Sequence, residues 1–189
     1  MSDTRVRLLV ISDRPQALPV LLWSLINQTH AAWECLVLDQ GVGHSAAAAR
    51  AVPDPRIRYQ VVARVGDWGQ TAKEWAARTL TAPSDVLAFP NDDAYYCPVF
   101  LERLVGAIEA GAALAYCDWV FDKPNYAPFV GKPRVGYIDV GGFVITRAAF
   151  DTVGGFADRG QTGDGQLVER VVAAGLPHTH VPGCFYVKN

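Results

Sequence analysis

The 189-residue sequence lacks long apolar runs and lacks any cluster of lysines and arginines. A membrane-spanning helix needs about 20 consecutive apolar residues, and the N-terminal run is also too short to be the apolar core of a secretory signal. Seventeen basic and nineteen acidic residues give a formal net charge of -2, which does not favour a nucleic-acid partner. The sequence therefore predicts a cytoplasmic globular protein without a transmembrane segment, able to meet a membrane only peripherally.

Cysteine is also scarce, and its spacing excludes two further classes. Cys35, Cys97, Cys117 and Cys184 are too far apart to form a CxxC pair. The pattern is therefore not that of a zinc module or of a small disulfide scaffold. Because their neighbours are mainly apolar, these thiols are predicted to be reduced and mostly buried.

What the sequence does contain is a regular alternation of apolar runs and amphipathic segments along one domain, residues 1–189. Strands are predicted at 5–12, 34–41, 56–62, 85–89, 113–117, 137–146 and 179–187. Helices are predicted at 15–28, 44–52, 71–80, 98–110, 147–153 and 166–174, with a loop at 122–135. This order predicts an α/β fold, a three-layer sandwich around a mainly parallel sheet.

Acidic residues stand where predicted strands end. Asp39 follows the second strand, and Asp92 and Asp93 follow the strand at 85–89. Ligands of open α/β sheets bind at the carboxyl ends of strands, and two adjacent carboxylates there are costly unless a cation neutralises them. Mg²⁺ or Mn²⁺ would do so together with phosphate oxygens. The alternative is that these residues merely cap a helix and solvate turns.

Four stretches, taken in order, resemble the family 2 glycosyltransferases with the GT-A fold. They are VISDRPQALPVLLWSLINQTHAAWECLVLDQG, FPNDDAYYCPVFLERLV, VGGFVITRAAFDTVGGF and TGDGQLVERVVAAGL. The resemblance covers nearly the whole chain. It implies an inverting, metal-dependent transferase that moves a sugar from a nucleoside-diphosphate sugar to the hydroxyl of a glycan, a lipid-linked molecule or a small molecule.

The resemblance also implies roles for the residues at the strand ends. Ser12 and Arg14 would line the nucleotide pocket, and Asp39 would accept a hydrogen bond from the base. Asp92 would approach the ribose or the metal, and Asp93 would bind Mn²⁺ or Mg²⁺ between the phosphates of the donor.

Asp164, in Thr-Gly-Asp-Gly, matches the position of the family's catalytic base. It would take the proton from the acceptor hydroxyl as that oxygen attacks the anomeric carbon. The same residue is also suited to cap the helix at 166–174. The two interpretations are compatible, because a base near a helix start has a fixed position.

The resemblance divides the chain into a nucleotide-binding half, about 1–117, and an acceptor half, about 118–189. In the second half, Gly141 and Gly142 would let the backbone approach the sugar or acceptor, or form a bulge. Asp118 and Trp119 would line the sugar pocket, with core packing as the alternative for Trp119.

Five more residues have two interpretations each. Lys73 and Arg78 lie on the helix before the acidic strand and can face a diphosphate or solvent; Lys73 is the one assigned here to nucleotide binding. Trp68, beside a glycine-rich turn, is either a base-stacking residue or an isolated exposed aromatic. His178 and His180 either supply a metal ligand or alternate along a strand.

The chain departs from the family pattern at several positions. Gln40 replaces a second Asp, Gly163 replaces the Glu before the base, and the helix at 71–80 lacks Ala-Arg-Asn. The absence of Gln-x-x-Arg-Trp argues against a processive polymer synthase. Many relatives continue beyond the last strand with segments that cover the acceptor. Acceptor recognition is therefore expected to be rudimentary, to come from the loop at 122–135, or to need another subunit.

Other functions fit parts of the same pattern. A non-catalytic nucleotide-sugar-binding relative or subunit is compatible with Gly163. A sugar nucleotidyltransferase would carry a glycine-rich loop with Arg or Lys directly after the first strand, which Ser12-Asp13-Arg14-Pro15 does not provide. A dinucleotide oxidoreductase would show G-x-G-x-x-G there. A homo-oligomer is also expected, because the chain is small for this architecture.

Overall fold

The computed structural model describes residues 3–41, 43–83, 85–123 and 125–189, which excludes position 124 of the predicted loop. The first elements are β1 (Val6–Ser12), α1 (Leu18–Ile26), β2 (Trp33–Asp39), α2 (Ala46–Arg50), β3 (Ile57–Val61), α3 (Gln70–Leu80) and β4 (Val86–Ala88). The later ones are β5 (Tyr95–Tyr96), α4 (Phe100–Glu109), β6 (Leu114–Phe121), β7 (Ala127–Phe129), β8 (Phe143–Thr146), α5 (Arg147–Thr152), α6 (Gly163–Ala173) and β9 (His178–Lys188). None of the helices in these ranges has the length and apolarity that crossing a bilayer requires.

The strands form one sheet in the order β3-β2-β1-β4-β8-β6-β9-β5, with β7 paired to β6. Strands β1 to β4 are mutually parallel. Strand β8 lies antiparallel between β4 and β6, and β9 returns parallel to β6. The carboxyl ends of β1, β2, β4, β6 and β9 therefore share one edge with the amino end of β8; we call it the carboxyl edge.

Alternate residues of each strand face opposite layers of helices. In β1, Leu8 and Val10 pack with α1, α2 and α4, whereas Leu9 packs with α3, α5 and α6. The leucines of α1 recur at helical spacing and lie on one buried face. The predicted α/β sandwich of three layers is confirmed, with a sheet that is parallel in its first half and mixed in its second.

An aromatic cluster packs β4 against α5 on the face of the sheet that also carries α3 and α6. The ring of Phe89 lies 6.2 Å from that of Phe143, 5.9 Å from that of Phe150 and 4.9 Å from that of Phe156. Each such pair contributes about 0.5–1.5 kcal/mol beyond the area it buries. The cluster ties α5 and the segment after it to β4, and so places Phe156 at the carboxyl edge.

The structure differs from the predicted elements in the second half of the chain. The strand predicted at 137–146 begins only at Phe143, because Asp139 accepts the N–H of Gly141 and caps a one-turn 3₁₀ helix, Val140–Gly142. Gly141 and Gly142 therefore lie in a turn and not inside a strand. Strand β5 was not predicted, since two residues are too few to show a period, and β7 lies within the predicted loop.

Asp118 and Trp119 lie inside β6, which is longer than predicted. The Asp118 carboxylate accepts the N–H groups of Gly131 at 2.9 Å and Gly183 at 3.0 Å, and lies 2.7 Å from Nε2 of His180. Trp119 stacks on Phe129 with ring centroids 4.5 Å apart. Both residues join β6 to its neighbours and line none of the cavities described below, so their place in a sugar pocket stays a prediction.

The role of Asp118 as a structural acceptor predicts that Asp118→Asn destabilises the fold. Burial raises the pKa of Asp118, but the hydrogen bonds from Gly183, Gly131 and His180 outweigh burial and hold the pKa below its ordinary value. An amide would turn a donor toward one of these donors, at a cost of about 1–3 kcal/mol. Thermal unfolding at pH 7 measures this loss.

The sign of the pH dependence follows from the depressed pKa. The ionised carboxylate stabilises the fold fully above the pKa of the unfolded chain, and this contribution disappears as pH falls through the lower folded-state pKa. The difference in Tm between wild type and Asp118→Asn is therefore expected to shrink in acid. An unchanged Tm at pH 7 together with impaired ligand binding would contradict the structural role.

Candidate active site

Three adjacent cavities lie along the carboxyl edge. The first, of about 430 Å³, is lined by Ser12 and Asp39 and is called the Asp39 cavity. The second, of about 360 Å³, contains Arg14 and is called the Arg14 cavity. The third, of about 530 Å³, contains Asp164 and is called the Asp164 cavity. The first and second share Asp13, and the second and third share Trp68, Lys73 and Asn91.

The Asp39 carboxylate is fixed at the end of β2 by three donors. It accepts the N–H of Gly41 at 2.6 Å, the N–H of Ser45 at 2.8 Å and the hydroxyl of Tyr59 at 2.6 Å. Burial raises the pKa of Asp39, and these hydrogen bonds outweigh burial so that the pKa lies below its usual value. Asp39 is therefore an ionised acceptor at neutral pH. Ser12 is joined to the same network through Ser45, with 2.7 Å between the hydroxyl oxygens.

The two adjacent carboxylates after β4 are held together by Arg14. Asp92 accepts the backbone N–H groups of Asp13 and Arg14, both at 2.8 Å, and Nε of Arg14 at 2.9 Å. The same guanidinium pairs with Asp93. The repulsion between the carboxylates is thus offset by a cation of the chain itself, and both oxygens of Asp92 are occupied. Asp92 thus shapes the turn after β1, and it also lines the Arg14 cavity.

The Asp93 carboxylate contacts Arg14 through Oδ2 and lines none of the three cavities. Burial and the charge of Asp92 raise its pKa against the opposite effect of Arg14. Asn91, two positions earlier in the sequence, donates from Nδ2 to Asp139 at 2.8 Å, and no donor of the described residues reaches its Oδ1. A carboxylate and an amide oxygen are the hard ligands that Mg²⁺ and Mn²⁺ prefer. The donor set fits an ion that takes its other ligands from a diphosphate.

Other metal ligands predicted from the sequence are not at this edge. The described residues contain no group of three His, Cys, Asp or Glu side chains suited to hold a metal. His178 and His180 lie at the amino end of β9, the opposite edge of the sheet, where Nε2 of His180 contacts Asp118. The alternative, that the pair alternates along a strand, describes them correctly.

Asp164 lies in the first turn of α6 and lines the third cavity. Its carboxylate accepts the N–H of Val140 at 3.0 Å and of Gly165 at 2.8 Å. Burial raises the pKa of Asp164, and the nearby Asp139 raises it further, against the charges of Lys73 and Lys188. A carboxylate with a raised pKa is a stronger base than an exposed one, and this one faces a cavity.

Lys73 is a buried cation between two cavities. Its side chain is only 7% exposed, so the alternative of a solvated helix face is wrong for this residue. No carboxylate of the described residues forms an ion pair with it, whereas Arg78 on the same helix pairs with Glu74 and Asp151. Burial lowers the pKa of Lys73, and Asp164 and Asp139 oppose this. An unpaired ammonium in such a place suits an anionic ligand.

Close packing requires a glycine at position 141. A Cβ at this position would lie 2.5 Å from Oη of Tyr96, 3.0 Å from Nδ2 of Asn91 and 3.2 Å from Oδ1 of Asp139. The glycine therefore lets these groups close around the turn before β8. A Cβ at Gly142 would likewise lie 3.0 Å from the ring of Tyr186. Of the three residues of this turn, Val140 lines the Asp164 cavity.

Gly163 explains one departure from the family pattern. A Cβ here would clash with the side-chain amide of Gln70 and with the carbonyl oxygen of Asp158. Gln70 is itself held by a 2.7 Å hydrogen bond from its Nε2 to the carbonyl of Gly160. The space that a larger residue would need before Asp164 is thus filled by Gln70, and Asp164 keeps its place.

Asp139 and Lys188 complete the site and were missed in the sequence. Asp139 accepts Nδ2 of Asn91 at 2.8 Å, the N–H of Gly141 at 3.0 Å and Oη of Tyr186 at 3.1 Å, and it pairs with Lys188. Asp139 stands before a Gly-Gly pair, a weak turn signal. Lys188 has no local signal, because only the pairing of β9 with β6 brings it to this edge.

Comparisons with known proteins were made on both sequence and structure. The family model of Glycosyl transferase family 2 matches residues 9–159. No curated protein matches the sequence. Many solved chains match the structure, and those compared below are less than 25% identical to it, so they support the fold alone.

Three of the similar structures illustrate the range. S. aureus TarS 1-349 has a TM-score of 0.76 at 13% identity over 98% of this chain and 60% of that one. The mannosyltransferase PcManGT from Pyrobaculum calidifontis, solved with GDP-Man and Mn²⁺, has a TM-score of 0.75 at 18% identity over 97% and 56%. The 4-diphosphocytidyl-2C-methyl-D-erythritol synthase from Anaerococcus prevotii DSM 20548 has 0.63 at 9% over 96% and 88%.

The chain spans about 60% of the length of the first of these glycosyltransferase structures. The folds are GT-A folds, in agreement with the sheet order and with the cavities at the carboxyl edge. Since the family model covers most of the sequence, this chain belongs to glycosyl transferase family 2.

Proposed function

We propose that the protein is an inverting, metal-dependent glycosyltransferase that moves a sugar from a nucleoside-diphosphate sugar to a hydroxyl acceptor. The observation that carries the proposal is the order of groups along the carboxyl edge: an anionic acceptor at Asp39, cations at Arg14 and Lys73, then a carboxylate with a raised pKa at Asp164. A nucleobase, a diphosphate and an acceptor hydroxyl need these groups in this order.

The Asp39 cavity would hold the nucleobase. An ionised carboxylate pairs well with a ring N–H, and Ser12 lies in the same cavity. TarS has been solved with UDP and UDP-GlcNAc, and PcManGT with GDP-Man. Uracil and guanine both present a ring N–H, so a donor of either kind is compatible with Asp39.

The diphosphate would lie in the Arg14 cavity beside Lys73. Asp92 holds the backbone and guanidinium of Arg14 in place, and the unpaired ammonium of Lys73 would attract the phosphate oxygens. Asn91 and Asp93 would hold Mn²⁺ or Mg²⁺. When bound, the ion would supply positive charge for the departing diphosphate.

Asp164 would act as the general base. It would accept the proton of the acceptor hydroxyl while that oxygen bonds to the anomeric carbon, and the bond from that carbon to the diphosphate would break. The diphosphate would leave with the electron pair, and displacement from the opposite side would invert the anomeric configuration. Lys73 would favour the ionised form of Asp164 before the transfer.

The other assignments made from the sequence stay predictions. Residues 1–117 contribute Ser12, Arg14, Lys73 and Asp93 to the donor side, and residues 118–189 contribute Asp164, which supports the proposed division into halves. These predictions also include the cytoplasmic location and the homo-oligomer. A nucleotidyltransferase shares the fold, as the synthase from Anaerococcus prevotii illustrates, but the family match supports a glycosyltransferase.

Asp164→Asn is expected to lower the rate of transfer by about 10²–10⁴, the contribution of a positioned general base. The assay incubates the protein with UDP-, GDP- and TDP-sugars and Mn²⁺ and follows release of nucleoside diphosphate. Glu169→Gln, an exposed carboxylate on the same helix, is the matched control and should keep full activity. Equal turnover by Asp164→Asn and wild type would contradict the assignment. Pyrophosphate release from a nucleoside triphosphate would instead indicate a nucleotidyltransferase.

The raised pKa of Asp164 gives a second prediction, on stability. A carboxyl group whose pKa is higher in the folded state stabilises the fold below its unfolded pKa, and this contribution is lost as pH rises through the folded pKa. At pH 7 the ionised group is therefore a net cost, so Asp164→Asn should raise Tm. A lower Tm would show that Asp164 is chiefly a structural cap.

Asp93→Asn is expected to abolish the metal dependence of donor hydrolysis. Wild-type hydrolysis should fall in EDTA and return with Mn²⁺, whereas the variant should stay slow in both conditions. Isothermal titration of UDP and GDP with and without Mn²⁺ gives an independent readout on binding. Wild-type activity that persists unchanged in EDTA would show that Arg14 and Lys73 alone neutralise the diphosphate.

A further inference from the structure

Trp68 stands out in the site because nothing assigned so far uses it. Its side chain is 66% exposed, yet it lines both the Arg14 cavity and the Asp164 cavity. It does not line the Asp39 cavity, so the geometry does not favour the base-stacking interpretation. An exposed indole at the junction of two cavities is available to a ligand that arrives from solvent.

The backbone of Trp68 is strained. Its φ is 60°, in the left-handed region that bulky side chains rarely adopt. Such a conformation costs of order 1–3 kcal/mol and persists where the surroundings enforce it. A glycine would occupy this position without the strain, so the indole is kept here at the expense of stability.

The turn that carries Trp68 is rigid. On one side, the buried Asp67 accepts the N–H of Thr71 at 2.7 Å and lies 3.9 Å from the guanidinium of Arg159. On the other side, Gln70 donates its N–H to the carbonyl of Asp67 at 3.2 Å. The indole therefore projects from a fixed frame and needs little ordering when a ligand binds, which favours affinity.

The Asp164 cavity combines an apolar and a polar side. Phe156, Ile138 and Val140 supply apolar surface, and Asn91, Asp164 and Lys188 supply hydrogen-bonding groups. A pyranose ring has the matching chemistry, with an apolar face of C–H groups and a rim of hydroxyls. Aromatic faces bind C–H groups that carry partial positive charge, in line with the negative face of the ring.

We propose that Trp68 is the stacking platform for the sugar ring of the acceptor, and that the acceptor is therefore a carbohydrate. The inference rests on the proposed function, because it places the acceptor hydroxyl at Asp164. The acceptor is assigned because Trp68 lines the Asp164 cavity and is 66% exposed, so a ring stacked on it can extend into solvent, as the rest of an acceptor glycan must. A ring stacked on the indole can direct one hydroxyl into the Asp164 cavity.

The test uses a glycan array and three proteins: wild type, Trp68→Gly and Trp23→Ala. Trp23 is the matched control, since it is 51% exposed on α1 and lines none of the three cavities. Each protein is applied with Mn²⁺ and a mixture of UDP and GDP, and the strongest bound oligosaccharide is then titrated. Trp68→Gly should bind it about tenfold more weakly, the loss expected for one aromatic face. Trp23→Ala should bind it like wild type.

The Tm of Trp68→Gly separates a binding role from a structural one. Since glycine relieves the strain, Tm should be equal to or higher than that of wild type. A lower Tm, undiminished binding by Trp68→Gly, or no oligosaccharide bound by wild type would each overturn the proposal. Donor hydrolysis without oligosaccharide binding would leave the proposed function standing and remove only this inference. Oligosaccharide binding through Trp68 without any donor hydrolysis would indicate a carbohydrate-binding protein and would overturn both the proposed function and the acceptor role of Trp68.

Discussion

The guanidinium of Arg14 lies against two carboxylates that are neighbours in sequence, and the geometry of the carboxyl edge depends on this contact. Asp92 uses both oxygens on the turn after β1, so the contact joins the ends of β1 and β4. Asp93 shares the same cation. Without it, two adjacent anions would have to leave the edge or take up protons, because buried like charges repel strongly. The position of the Arg14 cavity follows from this arrangement.

The same reasoning extends along the edge as a balance of buried charges. Asp93, Asp139 and Asp164 are opposed by Arg14, Lys188 and Lys73, yet the pairing is incomplete, since Lys73 has no ion-pair partner in the part of the chain that the structure describes. Burial shifts the pKa of Asp164 upward and that of Lys73 downward. Burial thus disfavours the charged form of both groups, a cost that a bound anion would relieve at Lys73 and a bound proton at Asp164.

How much of this was predictable depends on the kind of contact. Asp39 was found because a strand end leaves a local pattern, Asp164 was found through the resemblance of Thr-Gly-Asp-Gly to the family motif, and the parallel half of the sheet was found from apolar runs. Asp139 and Lys188 were missed because their meeting depends on the pairing of β9 with β6. The contact between Arg14 and Asp92 was missed for a related reason: the two residues are 78 positions apart in sequence, and no spacing rule joins them.

Gly163 and Trp68 show that the fold tolerates local cost around the site for opposite reasons. Gly163 has no Cβ, and Gln70 fills the space next to Asp164. This packing keeps the first turn of α6 in place. Trp68 has a large side chain at a positive φ that glycine would adopt without strain. Packing explains the first, because neighbouring atoms occupy the space. Packing does not explain the second, since an indole that is mostly exposed gains little from burial. A ligand therefore remains the physical reason for Trp68.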